Sequence, residues 1–233
     1  MDKKKIAVIF DLDGTLLDTL GDITDSTNYV LTSHGFGVRS KREVRSFVGN
    51  GAKMLVERAM YSKNGELDVE ITDVDLAKLC YREFREYYKE HVNVRTVPYQ
   101  GVVDVLERLY EKGIPMAVVS NKPDESTKKL CTAHFEKYIK IALGDAENRK
   151  RKPDPSTVLS VIDELECDGA IYVGDSEVDV KVARNAGIPC ISMTWGFRDR
   201  QILEENGAEI FAGDAKELLC ALSDLLNIDL GDL

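Results

Sequence analysis

Short, near-continuous apolar runs punctuate the chain, and most run into small or polar residues. Ile6-Ala-Val-Ile-Phe10 runs into Asp11, and Pro115-Met-Ala-Val-Val119 runs into Ser120. Ile139-Lys-Ile-Ala-Leu143 reaches Gly144-Asp145, Ala170-Ile-Tyr-Val173 reaches Gly174-Asp175, and Cys190-Ile-Ser-Met193 and Glu209-Ile-Phe211 are shorter examples. Apolar runs without period-two alternation suit strands covered on both faces, as in a parallel sheet. Helical spacing separates them. Val102, Val105, Leu106 and Leu109 recur at i, i+3, i+4 and i+7, with Gly113 as a stop. Val158, Val161, Ile162 and Leu165 repeat that spacing, and Leu218, Leu219, Leu222, Leu225 and Leu226 form a last stripe. Strand and helix in regular succession predict an α/β doubly wound parallel sheet.

The first strand breaks this rhythm. The 80 residues from 16 to 95 precede the next α/β unit, and their pattern is helical throughout. Ile23, Thr27, Val30 and Leu31 share one face, and Ser40-Lys-Arg-Glu43 spells a capping box at the start of another helix. Met54, Leu55, Arg58 and Ala59 continue a third. Ala77, Cys80, Tyr81, Phe84, Tyr87 and Tyr88 make a long aromatic stripe that reads as core. A connection this long predicts an inserted all-helical subdomain over 16–95, with residues 1–15 and 96–233 forming the α/β core.

Composition narrows the partners. The 233 residues carry 41 acidic and 31 basic side chains, a formal net charge of −10. Such a surface disfavours nucleic acid and anionic lipid, while an anionic small molecule needs only a local cation or metal to reverse the field. No apolar run approaches 18 residues, so no membrane span is expected. The basic Met1–Lys5 start is followed only by Ile6–Phe10, too short for the core of a secretory leader. Five cysteines, an odd number without a C-x-x-C pair, predict reduced thiols and a cytoplasmic protein. A monomer or homodimer is expected.

Open parallel sheets bind ligands beyond the carboxyl ends of their strands. Here those ends present Asp11 and Asp13, Ser120 and Asn121, Asp145, and Asp175, with Lys152 just downstream of the third. In Asp11-Leu-Asp-Gly-Thr15 the two carboxylates leave a strand on the same side, and charges so close need a cation between them or a proton on one. Gly14 permits a sharp turn towards a bound anion. Ser120 and Asn121 before a helix offer a hydroxyl and free amides, or simply a cap, with Pro123 in the first helical turn. Lys152 precedes Pro153-Asp-Pro155, where Asp154 caps a helix started by Pro155, which fixes a cation at a helix mouth. Asp175 ends a strand, and Asp179 falls in the first turn of the next helix. Cys131 and His134 share a spacing that could hold zinc, but a chance coincidence on one helical face explains it better. Trp195 could border the site or merely pack.

Taken in order, Asp11-Leu-Asp-Gly-Thr15, Ser120-Asn-Lys122, Lys152-Pro-Asp-Pro155 and Gly174-Asp175 through Asp179 resemble the four motifs of the haloacid dehalogenase-like hydrolases. They span residues 6 to about 195, and the helical insertion resembles that superfamily's cap on a Rossmann-like core. Pro98-Tyr-Gln-Gly101, Ser120–Asp124 and Val48-Gly-Asn-Gly51 look like the phosphoglycolate phosphatase branch. The resemblance implies Mg²⁺-dependent phosphoryl transfer, because true dehalogenases lack the second acid, Asp13. It makes Asp11 the nucleophile and Asp13 the acid and base. Mg²⁺ would be held by Asp11, Asp175 and the Asp13 carbonyl, with Asp179 behind them. Ser120, Asn121 and Lys152 would hold the phosphoryl oxygens, and Thr15 would orient Asp11. Gly49, Asn50 and Gly51 would receive the rest of a small phosphorylated metabolite, 2-phosphoglycolate being the leading candidate. Pyrophosphate, a sugar phosphate or a β-phosphoglucomutase-like reaction are alternatives on the same core, and a phospho-accepting or inactive scaffold is the non-enzymatic one. One departure is Gly21, where this branch often carries Pro.

Overall fold

The computed structural model describes residues 4–63 and 66–233, so the basic start of the chain lies partly outside the described residues. The first apolar run forms β1 (Ile6–Phe10), followed by the short β2 (Leu17–Asp18). Four helices follow: α1 (Leu20–Ser33), α2 (Lys41–Phe47), α3 (Ala52–Tyr61) and α4 (Val74–His91). The chain returns through β3 (Val97–Pro98) and then alternates. The succession is α5 (Val102–Glu111), β4 (Met116–Pro123), α6 (Asp124–Phe135), β5 (Ile141–Asp145), α7 (Ser156–Glu164) and β6 (Gly169–Gly174). It closes with α8 (Glu177–Ala186), β7 (Cys190–Met193), α9 (Arg200–Glu205), β8 (Ile210–Ala212) and α10 (Ala215–Leu226).

Six strands pair in the order β5-β4-β1-β6-β7-β8, with every pairing parallel. Side chains alternate across the central strand. Ala7 and Ile9 pack with Val158, Val161 and Ile162 of α7 and Val182 of α8, whereas Val8 and Phe10 join the cluster that includes α5 and α10. Both faces are therefore apolar, which is why the strands read as continuous hydrophobic runs. The doubly wound expectation holds.

Three local expectations need correction. β4 does not end at Val119 but continues through Ser120, Asn121 and Lys122 to Pro123, which pairs with Asp145 after a shift in register. The Asn121 side chain keeps this segment extended, because it bonds the Lys152 backbone on both sides: Nδ2 donates to the Lys152 carbonyl (3.0 Å) and Oδ1 accepts from its amide (2.9 Å). Pro123 therefore closes a strand instead of opening a helix, and neither Ser120 nor Asn121 caps α6. Ile139 belongs to the turn after α6, its amide bonded to the Phe135 carbonyl, so β5 begins only at Ile141. Asp154 accepts from the Ser156 amide at 3.0 Å, the capping role expected of it, although α7 starts at Ser156 and not at Pro155.

The four helices between β2 and β3 pack on one another and bury the aromatic stripe, with Phe84 and Tyr88 almost fully enclosed. The Ser40–Glu43 capping box forms with both of its bonds. β2 and β3 pair antiparallel as a two-residue ribbon where the chain leaves and re-enters the sheet, Leu17 opposite Pro98.

Candidate active site

β1 lies between β4 and β6, where the strand order reverses and the loops leave to opposite sides, so a crevice opens beyond its carboxyl end. The Asp11 amide still bonds the Val173 carbonyl (2.8 Å), holding the first acid against the end of β6. Gly14 then turns with φ +85°, and a Cβ there would collide with the Asp175 carboxylate. At Gly174 an added Cβ would strike the Asp179 carboxyl. These two glycines let acids from different strand ends crowd together. Asp11, Asp175 and Asp179 are buried, and each offers an oxygen within 4.8 Å of the others.

Lys152 threads between two of them. Its Nζ lies 3.1 Å from Asp11 Oδ1 and 2.7 Å from Asp179 Oδ1, and donates to the Tyr172 hydroxyl at 2.9 Å. Burial works against its charge, but Asp11, Asp179 and Tyr172 outweigh it and raise its pKa well above the ordinary lysine value. The other Asp179 oxygen accepts from the Ser176 amide (3.0 Å), the Ser176 hydroxyl (2.6 Å) and the Asp175 amide (3.2 Å). Asp13 pairs instead with Lys122, whose Nζ is 2.8 and 3.1 Å from its two oxygens, and accepts from the Thr19 hydroxyl at 2.7 Å.

The charges do not balance. Four carboxylates (Asp11, Asp13, Asp175 and Asp179) face two ammonium groups, Lys122 and Lys152, which leaves two negative charges in a buried site. Asp175 feels this most. It accepts from the Thr15 hydroxyl (2.9 Å) and the Phe197 amide (2.7 Å), but no cation pairs with it among the described residues. Burial, then the charges of Asp179 and Asp11, push its pKa up to about 8. Asp11 is raised to about 6 by burial, with Lys152 pulling the other way. Two surplus negative charges on hard oxygen donors are what one divalent cation neutralises.

Most of the expected site residues converge. Asp11, Asp13, Ser120, Asn121, Asp175, Gly49 and Gly51 line one cavity, and Lys152 lies against Asp11. The helical insertion supplies the remaining wall with Ile23, Val48, Ala52, Leu55, Phe84 and Tyr88. Two residues fall elsewhere. Thr15 bonds Asp175 and not Asp11, because the Gly14 turn carries it under the β6 end, so it neither orients Asp11 nor reaches the cavity. The Asn50 side chain turns away to accept from Arg58 Nη1 (2.9 Å). The Gly49–Gly51 loop contributes backbone, and its Gly49 carbonyl accepts from Asn121 Nδ2 at 3.0 Å. Lys53, the nearest cation along the chain to that loop, is exposed and lies 3.7 Å from Glu57.

Trp195 packs: its ring stacks on Tyr99 and its Nε1 donates to the Thr15 carbonyl at 3.2 Å. His134 bonds the Asn93 side chain at 2.8 Å. Two cations of the cavity wall escaped sequence reasoning. Lys122 stands inside Ser120-Asn-Lys122, so its motif could have flagged it. Arg198, buried, donates to the carbonyls of Arg45 and Val48 at the end of α2 and pairs with Glu177, and no local pattern marks it.

The family model of haloacid dehalogenase-like hydrolases matches residues 8–193. The chain belongs to that family. A protein named phosphoglycolate phosphatase 1 from Pseudomonas aeruginosa is 32% identical over 230 residues, covering 97% of this chain and 82% of its own length. A phosphoglycolate phosphatase of Rhodobacter capsulatus is 35% identical over 193 residues, 82% of this chain and 85% of that one. The crystal structure of a Lactobacillus delbrueckii subsp. bulgaricus protein superposes on this hydrolase with a TM-score of 0.87 at 31% identity, covering 94% of this chain and 98% of the other. No helix among the described residues is long and apolar enough to cross a membrane.

Proposed function

We propose that the protein is a Mg²⁺-dependent phosphatase that hydrolyses a small phosphate monoester through an aspartyl-phosphate on Asp11, with 2-phosphoglycolate as its substrate. The observation that carries this reading is the meeting of Asp11, Asp13, Asp175 and Lys152 at converging strand ends with two negative charges left over. The names of the curated relatives support the choice of ester.

The Asp11 and Asp175 carboxylates, with the Asp13 carbonyl, would hold the metal; Asp179 is committed to Lys152 and the Ser176 turn. Bound there, Mg²⁺ supplies positive charge to the phosphoryl oxygens. Asp11 attacks phosphorus in line, a P–O bond forms on its carboxylate, and the ester P–O bond breaks with its electron pair going to the leaving oxygen. Asp13, in its protonated form, gives that oxygen its proton, then as the carboxylate takes one from the water that cleaves the acyl phosphate, which returns Asp11 and releases inorganic phosphate. Lys152, Ser120 and the Asn121 amide hold the spare phosphoryl oxygens as charge builds. The helical insertion, which we take as a cap spanning 16–95 over a core of 1–15 and 96–233, closes an apolar wall over the reaction and limits water to the hydrolytic molecule. Five free cysteines suit a reducing cytoplasm.

Phosphate release from a panel of alkyl, sugar and aryl esters and pyrophosphate, with Mg²⁺ and with EDTA, tests this reading. The highest kcat/KM is expected on 2-phosphoglycolate, with activity abolished by EDTA. Turnover that persists without metal, or the absence of turnover on every ester, rejects it.

A further inference from the structure

Lys122 is a charged group in the cavity wall that the reaction as described does not use. Its side chain is only 1% exposed, at the polar end of β4. Its Nζ contacts both carboxyl oxygens of Asp13, bonds the Tyr88 hydroxyl, and sits 4.6 Å from the centre of the Tyr88 ring. Tyr88 is buried and belongs to α4, in the helical insertion, whereas Asp13 and Lys122 belong to the sheet side of the site. Of the two lysines, Lys152 is the one beside Asp11. Lys122 is thus directed at the acid–base group and tied to the insertion.

We propose that Lys122, seated by the Tyr88 hydroxyl, is a positioning residue that aims the Asp13 carboxyl at the leaving oxygen, so that proton donation depends on contact between the insertion and the core. This rests on the reading of Asp13 as acid and base. An aspartate has two rotatable side-chain bonds, and misplacement of a catalytic group by about 1 Å costs on the order of a hundredfold in rate. Here an ammonium spanning both oxygens and the Thr19 hydroxyl on one of them remove that freedom. A buried ammonium needs its own partners, and the Tyr88 hydroxyl and ring face provide them. When Asp13 has delivered its proton, the carboxylate left behind is already paired with Lys122 and is held in place to take a proton from water.

The test is the dependence of each variant's rate on its leaving group. Alkoxides need a proton as they depart, whereas p-nitrophenolate does not. Tyr88→Phe keeps the ring and the packing but removes the hydroxyl; Lys122→Met removes the ammonium. Each variant is assayed with p-nitrophenyl phosphate and with 2-phosphoglycolate, or with the fastest alkyl ester of the panel. In a single turnover, which reads phosphoryl transfer to Asp11 before water attacks, Tyr88→Phe should slow departure of the alkyl leaving group about tenfold and Lys122→Met about a hundredfold, with a loss on p-nitrophenyl phosphate below about threefold. An equal fall on both esters, or no fall on the alkyl ester in Tyr88→Phe, overturns the assignment while leaving the phosphatase reading intact. A wild-type protein inert on every ester overturns both. Should Lys122→Met fail to fold, Tyr88→Phe decides alone.

Discussion

Lys152 is a cation with two jobs. It lies between Asp11 and Asp179, all three nearly enclosed, and the Asn121 side chain grips its backbone amide and carbonyl. Removing one partner of a buried ionic group leaves the others uncompensated, at a cost of about 3–5 kcal/mol. Lys152→Met should therefore unfold on the order of 10 °C below the wild type at neutral pH, since each kcal/mol shifts a chain of this size by about 2–4 °C. Thermal denaturation followed by circular dichroism reads this directly, and a melting point unchanged within 2 °C or so would contradict the charge accounting. Asp11→Asn should behave in the opposite way. It removes the attacking carboxylate but relieves crowding with Asp13 and Asp179, so the fold persists while phosphate release falls by several orders of magnitude, roughly 10³-fold or more. Near wild-type turnover would remove Asp11 from the nucleophile's place.

Between elements, the two crossings that carry the chain into and out of the helical insertion are tied by the β2–β3 ribbon and, beside it, by one buried carboxylate. Asp22, in the first turn of α1, is buried and accepts from the amides of Val94, Arg95 and Thr96 and from the Thr96 hydroxyl, at 2.7–3.0 Å. Asp22→Ala leaves three amides without an acceptor and should cost roughly 2–3 kcal/mol. Amide exchange at residues 94–96 should rise before it rises in the sheet, and equal acceleration throughout would deny Asp22 this local role. None of this is legible in the sequence, because the partners of Asp22 lie more than 70 residues away. The strands were legible because burial on both faces makes them continuous apolar runs, and α2 because the Ser40–Glu43 box is a local code. β2 and β3 were not, since two residues carry no period. At the site, strand-end acids announced themselves through Asp11-Leu-Asp-Gly-Thr15, while Thr15's turn towards Asp175 and the reach of Arg198 to α2 depend on contacts over 150 residues or more. Sequence pattern reports what a residue's neighbours along the chain impose; it is silent on which distant side chain the fold delivers.

For the molecule as a whole, the uncompensated acids couple stability to pH and to metal. In the metal-free protein Asp11 is raised to about 6 and Asp175 to about 8 from an ordinary 3.8, in both cases chiefly by burial. A raised pKa in the folded state means that folding takes up protons, so the stability these two groups contribute is complete below pH 3.8 and is lost as pH climbs through about 6 and then about 8. The metal-free protein should therefore melt at progressively lower temperature between pH 6 and 8. Mg²⁺ requires the ionised carboxylates, so its binding releases protons and its affinity climbs over the same interval. At a free concentration a hundredfold above its dissociation constant the ion would contribute about 2.7 kcal/mol, or roughly 5–11 °C in melting point for a chain of this length. At one fixed Mg²⁺ concentration the increment should thus be larger at pH 8 than at pH 6, the reverse of the metal-free trend, and Asp175→Asn should abolish it. Calorimetric titration in two buffers of different ionisation enthalpy would count the protons released. Equal Mg²⁺ increments at both pH values, or an increment that survives in Asp175→Asn, would mean that the ion binds elsewhere and that the two surplus charges are neutralised by protons alone.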